Sequence, residues 1–254
     1  MTFPLPSTEP KTLDPRLRGG DEANTAVTYH LGMTVSPSFP DTAQTVLLPG
    51  PAGLLEVSVD LPAAHDARRG VAVICHPHPP DGGTLHNKVV TMTARALTEL
   101  GLTAVRFNFR SVGQSEGEYD NGRGEVLDLM AVANWVQQAR PDHDFWLAGF
   151  SFGAWVALLG ARQLPVRQVI SIAPPVGMRD FAGVLPPSCP WLVIQGEADE
   201  IVEPGPVFAW LDRQQPAPDV VRMPETGHFF HRRLLDLRGA IKNGVRKNLP
   251  PLHA

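Results

Sequence analysis

Residues 145–155 read FWLAGFSFGAW, a segment that contains the pattern Gly149-x-Ser151-x-Gly153. A short apolar run precedes the serine, and the helical pattern FGAWVALLGAR follows it directly. A serine at a sharp strand-to-helix turn needs glycine two residues before and after it, because larger side chains would collide there. Such a turn lifts the hydroxyl above the carboxyl edge of a sheet and places a helix N-terminus beneath it. We therefore predict that Ser151 is a nucleophile, with an ordinary βα turn as the alternative.

The same pattern occurs a second time, as Gly113-x-Ser115-x-Gly117. This second serine lies in the glycine-rich, acidic stretch SVGQSEGEYDNGRG, and no helical pattern follows it at once. Glu116 beside it would also repel the negative charge that develops on an oxyanion. We therefore interpret Ser115 as a residue that matches the pattern but is not a nucleophile.

A serine nucleophile needs a base, and the base needs a carboxylate that fixes its tautomer. When a serine occupies a strand-to-helix turn of this kind, the usual chain order is Ser, then Asp or Glu, then His. The segment GEADEIV places Asp199 directly after the apolar run 191–195. Glu197 and Glu200 are close enough to compete, but the spacing of Asp199 from the strand favours it as the orienting acid.

The base is predicted from the segment TGHFFH, which follows the apolar run 220–223. His228 is expected at a loop-to-helix junction, where its ring can reach Ser151. His231 is expected one turn into the same helix, as a surface or packing residue.

The oxyanion formed in acyl transfer requires two backbone N–H donors. One is expected from Phe152, directly after the serine, and the other from the loop HPHPPDGG that follows the run 71–75. Proline has no N–H, so His78 is the predicted second donor. His76 and His78 also suggest a metal site, but Asp81 lies one residue too late for the usual His-x-His-x-Asp-His signature. We expect no metal and no cofactor.

Short β-branched runs and helical patterns alternate from residue 45 onward, which predicts a mostly parallel eight-stranded α/β sheet with helices on both faces. The predicted strands cover residues 45–48, 54–61, 71–75, 103–109, 145–149, 169–173, 191–195 and 220–223. The predicted helices cover residues 87–100, 125–139, 152–163, 204–214 and 228–246. The segment between the sixth and seventh runs, PPVGMRDFAGVLPPSCP, is too short for a helical cap.

Composition limits the remaining possibilities. Residues 1–40 are rich in Pro, Thr, Asp and Gly and are predicted to be a disordered extension, with the folded domain at 41–254. The net charge is −4, without long runs of one sign, which disfavours nucleic acid and anionic membranes as partners.

Cys75 and Cys189 are expected to be buried, reduced thiols. A cytoplasmic location and a small-molecule ester or amide substrate are the expectations.

Five segments, in chain order, resemble a known family: CHPHPPDGGTLHNKVV, VRFNFRSVGQSEGEYDNGRGE, GFSFGAW, GEADEIV and TGHFFH. They are similar to the small, capless bacterial α/β hydrolases of the dienelactone-hydrolase-like and prolyl-peptidase-related branch, over about residues 45–246. The resemblance implies the α/β-hydrolase fold and a triad of Ser151, Asp199 and His228. The chain departs from dienelactone hydrolases in having Ser in place of Cys. It also has Ser111 where relatives usually have Gly.

The sequence therefore predicts a serine esterase acting on small or medium acyl groups. A peptidase or amidase with the same triad, and a non-catalytic binding protein on the same fold, are the alternatives. Several apolar residues near the predicted site are candidates for its walls: Met178, Phe181, Val184 and Leu185 as a lip, and Phe150, Phe152 and Phe229 as an acyl pocket.

Overall fold

The computed structural model describes residues 36–253, so most of the predicted N-terminal extension lies outside the described residues. Eight strands are present within the described part of the chain, and each overlaps a predicted run. Their bounds are β1 Gln44–Gly50, β2 Gly53–Asp60, β3 Gly70–Cys75, β4 Thr103–Phe107, β5 Asp144–Phe150, β6 Val166–Ile172, β7 Trp191–Gly196 and β8 Asp219–Met223.

The strands form one sheet in the order β1-β2-β4-β3-β5-β6-β7-β8. β2 runs antiparallel to both β1 and β4, whereas the pairs from β4 to β8 are parallel. The carboxyl ends of the parallel strands meet at one edge of the sheet. Loops that follow β3, β5, β7 and β8 therefore lie close together, and these loops carry the predicted site residues.

Between residues 36 and 253, five α-helices cover the two faces of the sheet: α1 Lys88–Thr98, α2 Arg123–Ala139, α3 Phe152–Ala161, α4 Pro204–Leu211 and α5 Leu234–Val245. α1 and α5 pack together on one face, and α2 and α3 pack together on the other. β3 shows why a buried parallel strand is apolar throughout. Val71 and Val73 join the cluster beneath α2 and α3, whereas Ala72 and Ile74 join the cluster beneath α1 and α5.

The last helix begins later than predicted. The expected helix 228–246 is helical only from Leu234, and residues 228–233 form turns. Phe230 and Arg232 have φ values of 52° and 61°, which an α-helix does not allow. His231 therefore lies in a turn before the helix, and the prediction that it is one helical turn past His228 is wrong.

The described residues before β1 pack against the body. The indole N–H of Trp135 donates to the carbonyl oxygen of Pro37 at 2.8 Å, and its ring lies 4.9 Å from that of Phe39. The guanidinium of Arg140 lies over the ring of Phe39, 4.6 Å from its centroid. Pro37 and Phe39 therefore pack against the folded body of the chain.

The connection between β6 and β7 contains turns and bends but no helix, so this connection does not form a helical cap. Both cysteines are free thiols. Cys75 is buried as predicted, whereas Cys189 is only half-buried. Among residues 36–253, no helix has the length and apolar character that a membrane span requires.

Candidate active site

Ser151 occupies the turn between β5 and α3, in a backbone conformation that non-glycine residues rarely adopt. Its φ and ψ are 52° and −121°. A Cβ atom on Gly149 would collide with the carbonyl oxygen of Gly153, and one on Gly153 would collide with the carbonyl oxygen of Cys75. Glycine is therefore required at both positions, because the neighbouring backbone atoms leave no room for a side chain. The turn presents the Ser151 hydroxyl at the carboxyl edge of the sheet.

The imidazole of His228 reaches this hydroxyl from the turn after β8. Its Nε2 atom lies 3.1 Å from Ser151 Oγ, and its Nδ1 atom lies 2.8 Å from Asp199 Oδ2. The ring is 3% exposed and packs against Phe150, with 5.0 Å between centroids. The three predicted residues thus form one hydrogen-bonded chain in which the histidine occupies the centre.

Asp199 is held by several donors besides the histidine. Its Oδ1 atom accepts from the backbone N–H groups of Ile201 and Val202, at 2.9 and 2.7 Å, and Oδ2 also accepts from the amide of Gln195 at 3.0 Å. Burial by itself would raise the pKa of this carboxyl. The hydrogen bonds from His228 and the two backbone groups outweigh burial, so the pKa of Asp199 lies below its ordinary value. The group is therefore ionised at neutral pH.

The competing residues do not reach the imidazole nitrogens. Glu200 Oε2 accepts from the backbone N–H of His228 at 3.1 Å, which fixes the turn rather than the ring. Glu197 is exposed, and its backbone pairs with Met223. His231 is also exposed and contacts Phe229.

The two predicted oxyanion donors line the same cavity as Ser151 and His228. This cavity has a volume of about 320 Å³. Phe152 is the first residue of α3, so its N–H has no acceptor within the helix. His78 lies at the start of the short 3₁₀ turn Pro79–Asp81, and its ring is 5.4 Å from that of Phe152. A larger cavity of about 610 Å³ lies at the opposite edge of the sheet and contains none of these residues.

The ring of His78 is fixed on both sides. Its Nδ1 atom lies 2.8 Å from Asp81 Oδ2, and its Nε2 atom lies 2.8 Å from the hydroxyl of Tyr119. Tyr119 also contacts the ring of Phe152, with 6.0 Å between centroids. Sequence reasoning missed Tyr119, because nothing in the stretch GEYDNG relates its position to the loop after β3.

His76 is a structural residue in this arrangement. Its Nε2 atom accepts from the backbone N–H of Phe109 at 3.1 Å, and its Nδ1 atom lies 2.6 Å from the carbonyl oxygen of Pro77. Burial lowers the pKa of His76 to about 4, so the ring is neutral at pH 7. Within the described part of the chain, no group of three or more His, Cys, Asp or Glu side chains is arranged to hold a metal ion.

The loop after β4 takes a defined path despite Ser111. This serine has a φ of 67°, a conformation that favours glycine. Arg110 anchors the loop through a buried, bidentate pair with Asp128, with distances from 2.7 to 3.2 Å. The hydrogen bonds to Asp128 raise the pKa of Arg110.

The predicted apolar walls are only partly correct. Met178 and Phe229 are exposed and line the cavity beside Ser151, as does the buried Phe152. Ile201, which was not predicted, is exposed and lines it as well. Other members of the predicted set lie elsewhere. Phe181 and Val184 are buried in the cluster around Trp210, Leu185 is exposed outside the cavity, and Phe150 is buried behind the ring of His228 and does not line the cavity. Arg179 also lines the cavity and was missed, because the loop PPVGMRD has no regular spacing.

Comparison with known proteins agrees with this geometry. A family model described as X-Pro dipeptidyl-peptidase (S15 family) matches residues 53–188, more than half of the chain. An uncharacterized protein of Rickettsia prowazekii is 39% identical over 148 residues, which are 56% of this chain and 62% of that protein. The alignment thus spans less than two thirds of that relative.

Two solved structures are similar over their whole length. An α/β serine hydrolase without a lid from Xanthomonas campestris is 55% identical, with a TM-score of 0.83, and the match covers 86% of this chain and 100% of the other. An α/β serine hydrolase homologue from Coxiella burnetii is 46% identical, with a TM-score of 0.79 and coverages of 82% and 100%. The chain therefore belongs to the X-Pro dipeptidyl-peptidase (S15) family, among the serine hydrolases that have the α/β-hydrolase fold without a lid.

Proposed function

We propose that this protein hydrolyses carboxylic esters of small to medium acyl groups through an acyl-enzyme intermediate. In this proposal Ser151 is the nucleophile, His228 the general base and Asp199 the orienting acid. The observation that carries the proposal is the continuous hydrogen-bond chain from Ser151 Oγ through the imidazole to the carboxylate, with lengths of 3.1 and 2.8 Å. This arrangement performs acyl transfer on several unrelated folds.

The chemistry follows from the positions of the atoms. His228 Nε2 accepts the hydroxyl proton as Ser151 Oγ forms a bond to the acyl carbon. The carbonyl oxygen becomes an oxyanion, which accepts hydrogen bonds from the backbone N–H groups of Phe152 and His78. Collapse of this intermediate breaks the ester bond, and the imidazolium gives its proton to the leaving alcohol. Water then attacks the acyl group with His228 again as base, which releases the acid and restores Ser151.

Asp199 contributes by orientation and charge. It holds the proton on His228 Nδ1, so that Nε2 is free to accept the proton of the serine. Its low pKa keeps the carboxylate ionised while the neighbouring ring becomes positively charged. Three further hydrogen bonds fix the carboxylate, so little rearrangement is needed during the reaction.

The charges in the cavity favour an ester over a peptide substrate. A dipeptidyl-peptidase acts at a free amino terminus, which is a cation and calls for a negatively charged site. The charged side chains that line this cavity are Arg179 and Asp81, and Asp81 is hydrogen-bonded to His78. The cavity volume of about 320 Å³ is at the small end for ligand sites, which suits a short acyl group. Membership of the S15 family supports a peptidase as the second candidate.

The test is a labelling experiment followed by a substrate panel. A fluorophosphonate probe should label the wild type at Ser151 and should not label Ser151→Ala. 4-Nitrophenyl acetate, butyrate and octanoate would then be compared with dipeptidyl 4-nitroanilides, including X-Pro anilides. We expect higher kcat/KM for the short esters. Preference for the X-Pro anilides would support the peptidase instead, and failure of the folded wild type to react with the probe would indicate a non-catalytic binding protein.

A further inference from the structure

Arg179 places a positive charge in the cavity of the candidate active site. It lies in the connection between β6 and β7, where its backbone N–H donates to the carbonyl oxygen of Pro175 at 3.2 Å. Its guanidinium lies 5.2 Å from the ring centroid of Phe152 and 5.9 Å from that of Trp155. Two aromatic faces thus position the cation beside the residue that supplies an oxyanion donor.

This charge lacks a carboxylate partner among residues 36–253. Arg106 and Arg110, by contrast, pair with aspartates at 2.6 and 2.7 Å. Tyr119 lies near Arg179, because both contact the ring of Phe152, and the positive charge of Arg179 acts to lower the pKa of the phenol. Burial raises the pKa of Tyr119, and the influence of Arg179 only partly offsets that increase, so the phenol is neutral at pH 7. It can hold the guanidinium in place but cannot neutralise it.

The other charged group on the cavity wall does not compensate this cation either. Asp81 is 82% exposed, and its carboxylate pairs with the ring of His78 at 2.8 Å. Asp180, the neighbour of Arg179 in sequence, accepts from the backbone N–H of Ala182 at 2.9 Å. A planar guanidinium with free donors, half-buried and held by aromatic rings, is well suited to bind a carboxylate through two hydrogen bonds.

The position of Arg179 indicates which part of the substrate it meets. In the proposed mechanism the leaving alcohol must lie next to His228, whose ring is flanked by Phe150 and Phe229. Arg179 instead contacts Phe152 and Tyr119, on the side of the oxyanion donors. A group bound by Arg179 therefore belongs to the acyl part of the substrate.

We propose that Arg179 is a specificity-determining residue that binds a second, free carboxylate on the acyl part of the substrate. The preferred substrates are then monoesters of short dicarboxylic acids. This inference rests on the proposed esterase function and narrows its substrate class.

The experiment compares matched esters that differ only in charge. Monomethyl adipate would be measured against the methyl ester in which a carboxamide replaces the free carboxylate, with hydrolysis followed by proton release. For the wild type, kcat/KM should favour the carboxylate by on the order of tenfold or more, since a charge-assisted hydrogen bond is worth that much. Arg179→Gln should remove the preference, and Arg179→Lys should restore part of it. Arg213→Gln, at an exposed arginine away from the cavity, should keep the full ratio.

Two results would overturn the inference. One is a wild-type ratio close to one, or a ratio that is the same in Arg179→Gln. The other is a preference that appears only when the carboxylate is on the alcohol part, tested with the acetate ester of 4-hydroxybutyrate and its amide. Ser151→Ala separates this failure from that of the proposed function. Hydrolysis that survives Ser151→Ala would refute the esterase mechanism, whereas Ser151-dependent hydrolysis without charge preference would refute only the role of Arg179.

Discussion

Two segments of this chain carry the same Gly-x-Ser-x-Gly pattern, and the structure places their serines in opposite situations. Ser151 lies in a strained turn between β5 and α3, with its hydroxyl 3.1 Å from His228 Nε2. Ser115 lies in the loop after β4, where its hydroxyl donates to the carbonyl oxygen of Asn108 at 2.7 Å and accepts from the N–H of Glu56 at 2.9 Å. The hydroxyl of Ser151 therefore faces a base, whereas the hydroxyl of Ser115 both donates to and accepts from backbone groups.

The difference lies in the secondary structure around the pattern. At Ser151 the glycines let α3 pass close to the loop after β3, so the helix begins at the very next residue. At Ser115 the glycines serve a loop: Gly113 and Gly117 have φ values of 57° and 92°. Glycine therefore allows close approach of two backbone segments in the first case. In the second it adopts a left-handed backbone conformation, with side chains of other residues packed close to it. The pattern alone does not distinguish these two uses, but the elements on either side do.

Replacing the first serine should have the largest effect on activity. Ser151→Ala is expected to lower kcat for ester hydrolysis by on the order of 10⁶-fold, as loss of a triad serine does elsewhere. The hydroxyl is the attacking group, and none of the neighbouring side chains offers a substitute. The measurement is kcat on one activated ester, with circular dichroism to confirm folding. Substantial activity in Ser151→Ala would mean that Ser151 is not the nucleophile.

Asp199→Asn should have the next largest effect. An amide nitrogen facing His228 Nδ1 would favour the wrong tautomer, and kcat is expected to fall on the order of 10⁴-fold. Neighbouring acids should not replace the lost carboxylate, because Glu200 is bound to the backbone N–H of His228 and Glu197 is exposed. Glu197→Gln is the matched control and should remain near wild-type activity. A large loss in Glu197→Gln, with Asp199→Asn near wild-type activity, would show that the wrong acid has been identified.

Much of the fold was readable from the sequence. All eight predicted runs overlap strands. Inner strands such as β3 and β7 are buried on both faces, so they are continuously apolar and stand out between helical patterns. The loops that follow β5, β7 and β8 were also placed correctly, and they bring Ser151, Asp199 and His228 together. Parallel strands end at one edge of the sheet, so strand order and polarity are enough to gather residues that are far apart in sequence.

Other features depend on tertiary contacts that no local pattern reports. The late start of α5 results from positive φ values at Phe230 and Arg232, residue types that carry no signal for that conformation. Tyr119 and Arg179 come from two loops without regular spacing, and both contact the ring of Phe152. Phe181 looked like a cavity residue but is buried against Trp210, with 4.9 Å between centroids. The path of such loops is set by what they pack against, which the sequence of the loop alone does not contain.

His76 allows a test of the loop that contains Ser115. Its ring accepts a hydrogen bond from the backbone N–H of Phe109, at the start of that loop. The pKa of His76 is about 4 in the folded protein, whereas an unfolded histidine titrates near 6.5. Between these values the unfolded chain binds the extra proton, so stability is lost as pH falls from 6.5 toward 4. Relative to His76→Gln, the free energy of unfolding of the wild type should decrease by about 3 kcal/mol over this range.

The measurement for His76 is urea unfolding of both proteins at pH 7, 5.5 and 4. His231→Gln, which changes an exposed histidine, serves as the control and should follow the wild type at each pH. A wild-type advantage that stays constant with pH would mean that His76 is not held neutral by burial.

Ser115→Ala should have the smallest effect on activity, and its effect on stability completes the comparison. The substitution leaves the buried carbonyl of Asn108 and the N–H of Glu56 each without the hydroxyl that now bonds them. Unsatisfied buried groups cost about 1–3 kcal/mol, which corresponds to a decrease in Tm of several degrees for a domain of this size. The activity of the folded fraction should stay within about twofold of the wild type, since this hydroxyl faces the backbone rather than His228. Ser188→Ala, at an exposed serine, should change neither quantity. A Ser115→Ala protein with unchanged Tm but greatly reduced kcat would reverse the two assignments, because the second serine would then contribute to chemistry and not to the structure of its loop.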